Sequence, residues 1–289
     1  LGHDLFATLA RPYLARPYLD GDLMTALHLT DIDHLIGDVR LRVDDLVFSA
    51  GQLTGIVGPN GAGKTSLLKI AAGLIAPEMG SVALMRGDTY QADRFRDPVQ
   101  RARHLAYLPQ FQPLAWPMAC RDVVALGRLP FHGDFGALGA EDWQCVEAAM
   151  AQCQVAGFAT RPIDQLSGGE RARVLMARLM AGQPSVYLLD EPTQSLDPAA
   201  QLAVMALMRQ QADDGKAVIM VLHDLNLAAR FCDRVVVMNH GEPAYIGTPS
   251  EVFTQAHLRP IFGVDMQPID TPQGLVMQAV AVDDERSAP

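Results

Sequence analysis

Gly58-Pro59-Asn60-Gly61-Ala62-Gly63-Lys64-Thr65 limits the fold of this chain more than any other stretch, because it matches GxxxxGK[ST] at every fixed position. It follows directly on the apolar, strand-like run Leu53 to Val57, and Ser66-Leu67-Leu68-Lys69-Ile70 after it reads as a helix. A strand, a glycine-rich turn and a helix in that order make a P-loop. Glycines let the backbone curl so that successive N–H groups face phosphate oxygens, and the helix start adds the positive end of its dipole. Gly58, Pro59, Asn60, Gly61, Ala62, Gly63, Lys64, Thr65 and Ser66 are therefore candidate phosphate-binding residues. Lys64 is placed to reach the outer phosphates. Thr65 offers a hydroxyl to Mg²⁺, an ion that takes most of its remaining ligands from water and phosphate. The loop implies a nucleotide and leaves the reaction open.

Two further stretches narrow it. Val186-Tyr187-Leu188-Leu189 is continuously apolar, as in a parallel strand buried on both faces, and ends in Asp190-Glu191. Two carboxylates at the carboxyl edge of a buried strand fit Asp190 facing a hydrated Mg²⁺ and Glu191 polarising a water in line with the terminal phosphate. The second stretch is Leu166-Ser167-Gly168-Gly169-Glu170, which precedes an apolar stripe at helical spacing from Arg171 to Met180. Ser167 is a good N-cap, and Gly168 and Gly169 leave backbone N–H groups uncovered, so this helix start is a second anion site. A chain with one P-loop has no evident need of it.

Composition excludes some partners. Lys and Arg number 23 against 33 Asp and Glu, for a net charge of −10, which disfavours coating nucleic acid or an anionic membrane. Hydrophobic residues make up 49% of the 289, yet the longest apolar runs, such as Ala217 to Leu222, fall far short of the roughly 18–20 residues of a transmembrane helix. Cys120, Cys145, Cys153 and Cys232 show no CxxC spacing and read as reduced, packed thiols of a cytosolic protein. The chain begins at Leu1 with the doublet Arg11-Pro12-Tyr13-Leu14 and Arg16-Pro17-Tyr18-Leu19 and shows no signal-peptide core. Residues 1–23 are expected to be an extension, disordered or non-native, and the domain to run over 24–289.

The three motifs together resemble the ATP-binding cassette (ABC) family, whose signature motif LSGGE matches almost letter for letter. The resemblance implies an α/β P-loop NTPase fold with a RecA-like core, an antiparallel β subdomain and an inserted helical subdomain, here at about 111–180. It implies ATP and Mg²⁺ as ligands, and two copies facing head to tail, so that Ser167, Gly168 and Gly169 of one close on the ATP held by the other. By the same resemblance Gln110, in Tyr107-Leu108-Pro109-Gln110, is the glutamine that senses Mg²⁺ and links core to helical lobe. Ser195-Leu196-Asp197 is the loop that crosses the dimer interface, and His223 the histidine that contacts the terminal phosphate and orients Glu191. The implied catalytic set is Glu191, His223, Gln110 and Lys64, and the implied metal set Thr65, Gln110 and Asp190. Two departures stand out. The family's adenine-stacking aromatic is missing from Asp33-His34-Leu35-Ile36-Gly37, where His34 or Ile36 comes nearest, and Gln194 precedes the interface loop where small residues are common.

Val123 to Arg128, His223 to Arg230, Gly247 to Phe253 and Ile261 to Val264 are similar to the importer subfamily for iron-siderophore, haem and cobalamin. That resemblance implies an ATPase subunit lying peripherally on the cytoplasmic face of the inner membrane. Its partners would be permease subunits and, indirectly, a substrate-binding protein, with no nucleic acid. Phe111, Leu114 and Trp116 are then candidates for the docking groove. The competing readings are a soluble cassette protein of DNA repair, chromosome structure or translation, and an importer of another substrate class. A P-loop kinase or GTPase is disfavoured by LSGGE.

Overall fold

The computed structural model describes residues 25–86, 89–91, 95–110, 117–132, 136–272 and 274–282. The expected extension at 1–23 and the docking candidates Phe111, Leu114 and Trp116 lie outside them. Chain order runs β1 (Thr25–Ile36), β2 (Val39–Phe48), β3 (Leu53–Val57), α1 (Lys64–Ala71), β4 (Met79–Arg86), β5 (Thr89–Gln91), α2 (Pro98–His104) and β6 (Leu105–Leu108). It continues with α3 (Cys120–Ala125), α4 (Ala140–Gln152), α5 (Gly168–Ala181), β7 (Val186–Asp190), α6 (Pro198–Asp213), β8 (Ala217–Val221) and α7 (Leu225–Phe231). The last elements are β9 (Arg234–Asn239), β10 (Glu242–Gly247), α8 (Pro249–Val252), α9 (Gln255–Phe262), β11 (Val264–Thr271) and β12 (Gly274–Val282).

The central sheet has the order β10-β9-β3-β8-β7-β6. Its strands pair in parallel from β9 to β6, and β10 adds an antiparallel edge. β3, β7 and β8 are buried along their whole length, the pattern of parallel strands covered on both faces. One face packs Ile56, Leu188, Ile219 and Val236 against Leu67 and Leu68 of α1 and against a four-stranded antiparallel sheet of order β2-β1-β4-β5. The other packs Tyr187, Leu189, Met220 and Val237 against α3 to α7. Each fully buried aliphatic side chain contributes roughly 1.5–3 kcal/mol, so this doubly covered sheet is the stiff platform from whose carboxyl edge the functional loops leave.

Between β6 and β7 the helices form a lobe with a charged anchor. Arg128 is buried and reaches Asp142 at 2.9 Å and the Ala181 carbonyl at 3.2 Å. Asp142 also accepts from the Gly139 N–H at 2.9 Å, and His132 Nε2 lies 2.8 Å from its other oxygen. Gly127 beside this anchor allows the close approach, because a Cβ there would meet the Arg178 carbonyl oxygen at 2.1 Å. Burial pushes the Asp142 carboxyl up, but the hydrogen bonds from Arg128, His132 and Gly139 outweigh it and hold the group below its ordinary value. A carboxyl depressed in the folded state stabilises fully above its unfolded pKa of about 3.9 and loses that contribution as pH falls through the folded value. Thermal midpoints measured from pH 6 down to pH 3 are expected to fall below about pH 4, and less steeply in Asp142→Asn.

At the C-terminal end β11 and β12 make a two-stranded sheet docked on α7, where Asn226 Oδ1 accepts from the Met277 N–H at 2.6 Å and the Met277 side chain is buried. Among the described residues no helix is long and apolar enough to cross a membrane. The four cysteines are free thiols; Cys120, Cys153 and Cys232 are buried, and burial pushes the Cys153 thiol up to about 12.

Candidate active site

Four central strands deliver their following residues to one edge. β3 runs into the P-loop, whose first glycine has φ +149° and would place a Cβ 2.3 Å from the Met238 carbonyl oxygen, so Gly58 is required by both conformation and space. Gly63, at φ +93°, is the N-cap of α1, in a left-handed conformation that glycine adopts freely. Lys64 folds back over the loop, its Nζ donating to the Gly58 and Pro59 carbonyls at 2.8 Å each. Burial pushes its pKa below the ordinary lysine value, while Glu191 and Asp190 oppose that shift. An ammonium held in this way is a preformed donor aimed along the loop.

Thr65 Oγ1 donates to Asp190 Oδ1 at 3.0 Å, joining the start of α1 to the end of β7. Asp190 is buried, and that burial raises its pKa against the Thr65 hydrogen bond; Glu191 raises it further, and Lys69 and Lys64 oppose this. A hydroxyl and a carboxylate are oxygen donors that suit a hard ion such as Mg²⁺. Among the described residues no group of three or more His, Cys, Asp and Glu could hold a metal.

Glu191 follows β7 at φ +52°, an uncommon conformation for a residue with a side chain. Its carboxylate is gripped at both oxygens. His223, after β8, places Nε2 2.6 Å from Oε1, and Gln110, after β6, donates Nε2 to Oε2 at 2.8 Å. The Glu191 side chain is 8% exposed and that of His223 43%, so an incoming ligand meets the imidazole first. Gln110 also donates to Gln194 Oε1 at 3.3 Å, which gives the unusual Gln194 a partner. Gln110 thus hydrogen-bonds Glu191 and Gln194, while Thr65 and Asp190 pair with each other.

Ser167 caps α5 through a reciprocal box. Its N–H and hydroxyl donate to Glu170 Oε2 at 2.8 Å each, and the Glu170 N–H donates back to Ser167 Oγ at 3.4 Å. The Ser167 N–H, then its hydroxyl, hold the Glu170 carboxyl below its ordinary value. A cavity of about 300 Å³ separates α5 from the β7 exit, lined among others by Gln110, Gly168, Arg171, Glu191 and Ser195. Among the described residues no hydrogen bond joins Ser167, Gly168 or Gly169 to the P-loop of the same chain. Asp197 accepts from the Ala200 N–H at 2.9 Å and so caps α6. His34 sits in β1 with Nδ1 3.9 Å from Glu78, and Ile36 ends that strand before the Gly37 turn.

Sequence reasoning missed Lys69, which acts on Asp190 from the same face of α1, and Tyr107, whose buried hydroxyl has no hydrogen-bond partner among the described residues. Helical spacing from Thr65 to Lys69 carried the first signal, and strand alternation the second.

A P-loop at the centre of a parallel sheet, with the Thr65–Asp190 pair and Glu191 at its carboxyl edge, defines a P-loop nucleoside triphosphatase. The profile of the ABC transporter family matches residues 41–194. The chain belongs to that family, as one of its ATPase domains. It is 41% identical over 238 residues to the hemin import ATP-binding protein HmuV of Pseudomonas entomophila, covering 80% of this chain and 88% of the relative. It is also 41% identical over 239 residues to the cobalamin import ATP-binding protein BtuD of Halobacterium salinarum, covering 82% of this chain and 58% of the relative. Among solved structures, the dimeric post-hydrolysis state of the ATP-binding cassette MJ0796 with ADP and Pi matches with a TM-score of 0.64 and 27% identity, covering 77% of this chain and 98% of that one.

Proposed function

We propose that this chain is the ATP-hydrolysing subunit of an importer that takes up a metal chelate of the iron-siderophore, haem or cobalamin class through a membrane permease. The observation that carries the enzymatic part is the double grip on Glu191 beside the Thr65–Asp190 pair. The importer part rests on relatives named for hemin and cobalamin import, matched over about four-fifths of the chain.

In this reading the P-loop N–H groups and Lys64 bind the phosphates, and Thr65 and Asp190 would hold Mg²⁺, which would supply charge neutralisation at the phosphate oxygens. Gln110 and His223 aim the Glu191 carboxylate at a water. Glu191 draws a proton from that water as its oxygen attacks the terminal phosphorus, and the bond to the bridging oxygen breaks to release ADP. His223, the more exposed member, turns to the terminal phosphate. Ser167, Gly168 and Gly169 act in trans at the start of α5: the Gly168 and Gly169 N–H groups close on nucleotide bound to a second copy, while the Ser167 N–H serves the Glu170 cap. The subunit lies on the cytoplasmic face of the inner membrane, served by a substrate-binding protein on the far side.

Reconstitution of the chain with its co-purified permease and binding protein in proteoliposomes tests this. ATP-dependent accumulation of haem, cyanocobalamin or a ferric siderophore, abolished by Glu191→Gln, is the expected result. ATP hydrolysis without uptake of any of the three would point to another substrate class, and failure to recover any permease from gentle detergent would favour a cassette protein outside transport.

A further inference from the structure

We propose that Tyr107 is a positioning residue for the cation-facing carboxylate, its buried hydroxyl donating to Asp190 when nucleotide and Mg²⁺ load the site. The inference rests on the reading of Asp190 given above. In the parallel register of β6 and β7, Tyr107 stands opposite Leu188. Side chains alternate along a strand, so Tyr107, Leu188 and Asp190 share one face of the sheet, the face covered by Leu67 and Leu68 of α1. A diagonal neighbour on the adjoining strand lies within reach of an aromatic side chain. Among the described residues the buried Tyr107 hydroxyl has no hydrogen-bond partner. Burial, and then the Asp190 charge, push its pKa up to about 12, so it remains a protonated donor near that carboxylate.

A buried hydroxyl without a partner is costly, and phenylalanine would fill the same space without that cost. Asp190 has complementary capacity: among the described residues Thr65 is its one hydrogen-bond donor, which leaves acceptor sites on a carboxylate that has about four. A hydrogen bond to a carboxylate is among the stronger ones, and the idle donor stands on the same face of the sheet as that acceptor. Tyr107 also lies three residues before Gln110 on the same chain segment, so the contact ties the strand that aims Gln110 to the carboxylate that faces the ion.

Tyr107→Phe removes the hydroxyl alone. In the absence of Mg²⁺ its thermal midpoint is expected to equal or exceed that of the unmodified chain. With the non-hydrolysable analogue AMP-PNP, the Mg²⁺ concentration for half-maximal binding is expected to rise about 10–100-fold, the loss of one hydrogen bond to a charged group. The near-UV difference spectrum on adding Mg²⁺ and AMP-PNP should show a tyrosine shift that Tyr107→Phe lacks. An unchanged Mg²⁺ requirement and an unchanged spectrum in Tyr107→Phe would overturn the inference while Asp190→Asn still raises the requirement. If Asp190→Asn is unaffected too, the reading of Asp190 falls with it.

Discussion

Glu191→Gln is expected to lower steady-state ATP turnover by roughly 10²–10⁴-fold, the range contributed by a positioned general base, with nucleotide affinity within a few-fold of the unmodified protein. The substitution keeps the size of the side chain and its hydrogen-bonding capacity towards His223, and an amide oxygen can still accept from Gln110. What it removes is the capacity to take a proton from water. The grip on both carboxylate oxygens at 2.6 and 2.8 Å makes the geometric loss small, so the effect falls on the chemical step. A phosphate-release assay beside an equilibrium titration with ATP separates the two. A turnover within three-fold of the unmodified enzyme would remove Glu191 from its proposed role.

The second large effect is on binding. Lys64→Ala is expected to weaken ATP affinity by roughly 10–100-fold, since hydrogen bonds to charged groups are worth about 1.5–3 kcal/mol each. Lys64 is buried and donates to the Gly58 and Pro59 carbonyls. Its removal therefore also frees two carbonyls at the mouth of the loop, adding acceptor oxygens where phosphate must sit. Direct titration with a fluorescent ATP analogue reads the change, and thermal unfolding without nucleotide checks that the fold survives. Equal affinity in both proteins would place the phosphates elsewhere.

Much of the core was legible because its signals are local. Leu53 to Val57, Val186 to Leu189 and Ala217 to Leu222 read as strands from their short, largely apolar runs, and β3, β7 and β8 follow those runs closely. The P-loop and the Asp190–Glu191 pair announce themselves by spacing. The grip on Glu191 is different, because Gln110 lies 81 residues from it and only the order β8-β7-β6 brings both flanking residues to its carboxylate. No local pattern encodes which strands are neighbours. The hairpin of β11 and β12 was missed for a physical reason: Pro268 interrupts the strand pattern, and it is tolerated because a two-stranded sheet has open edges on both strands. The buried pair of Arg128 and Asp142 was hidden as well, since charges in sequence read as surface until a partner 14 residues away is seen to bury with them.

The joining of two copies around nucleotide is the point on which the proposed mechanism turns. Light scattering of the Glu191→Gln protein with ATP and Mg²⁺ measures it directly. The expected result is a mass twice that of a single chain, reverting to a single chain without nucleotide and also when Ser167→Arg is added, because the arginine blocks the anion-facing start of α5. A mass that stays at one chain with ATP, or a dimer indifferent to Ser167→Arg, would contradict a phosphate site shared between two copies.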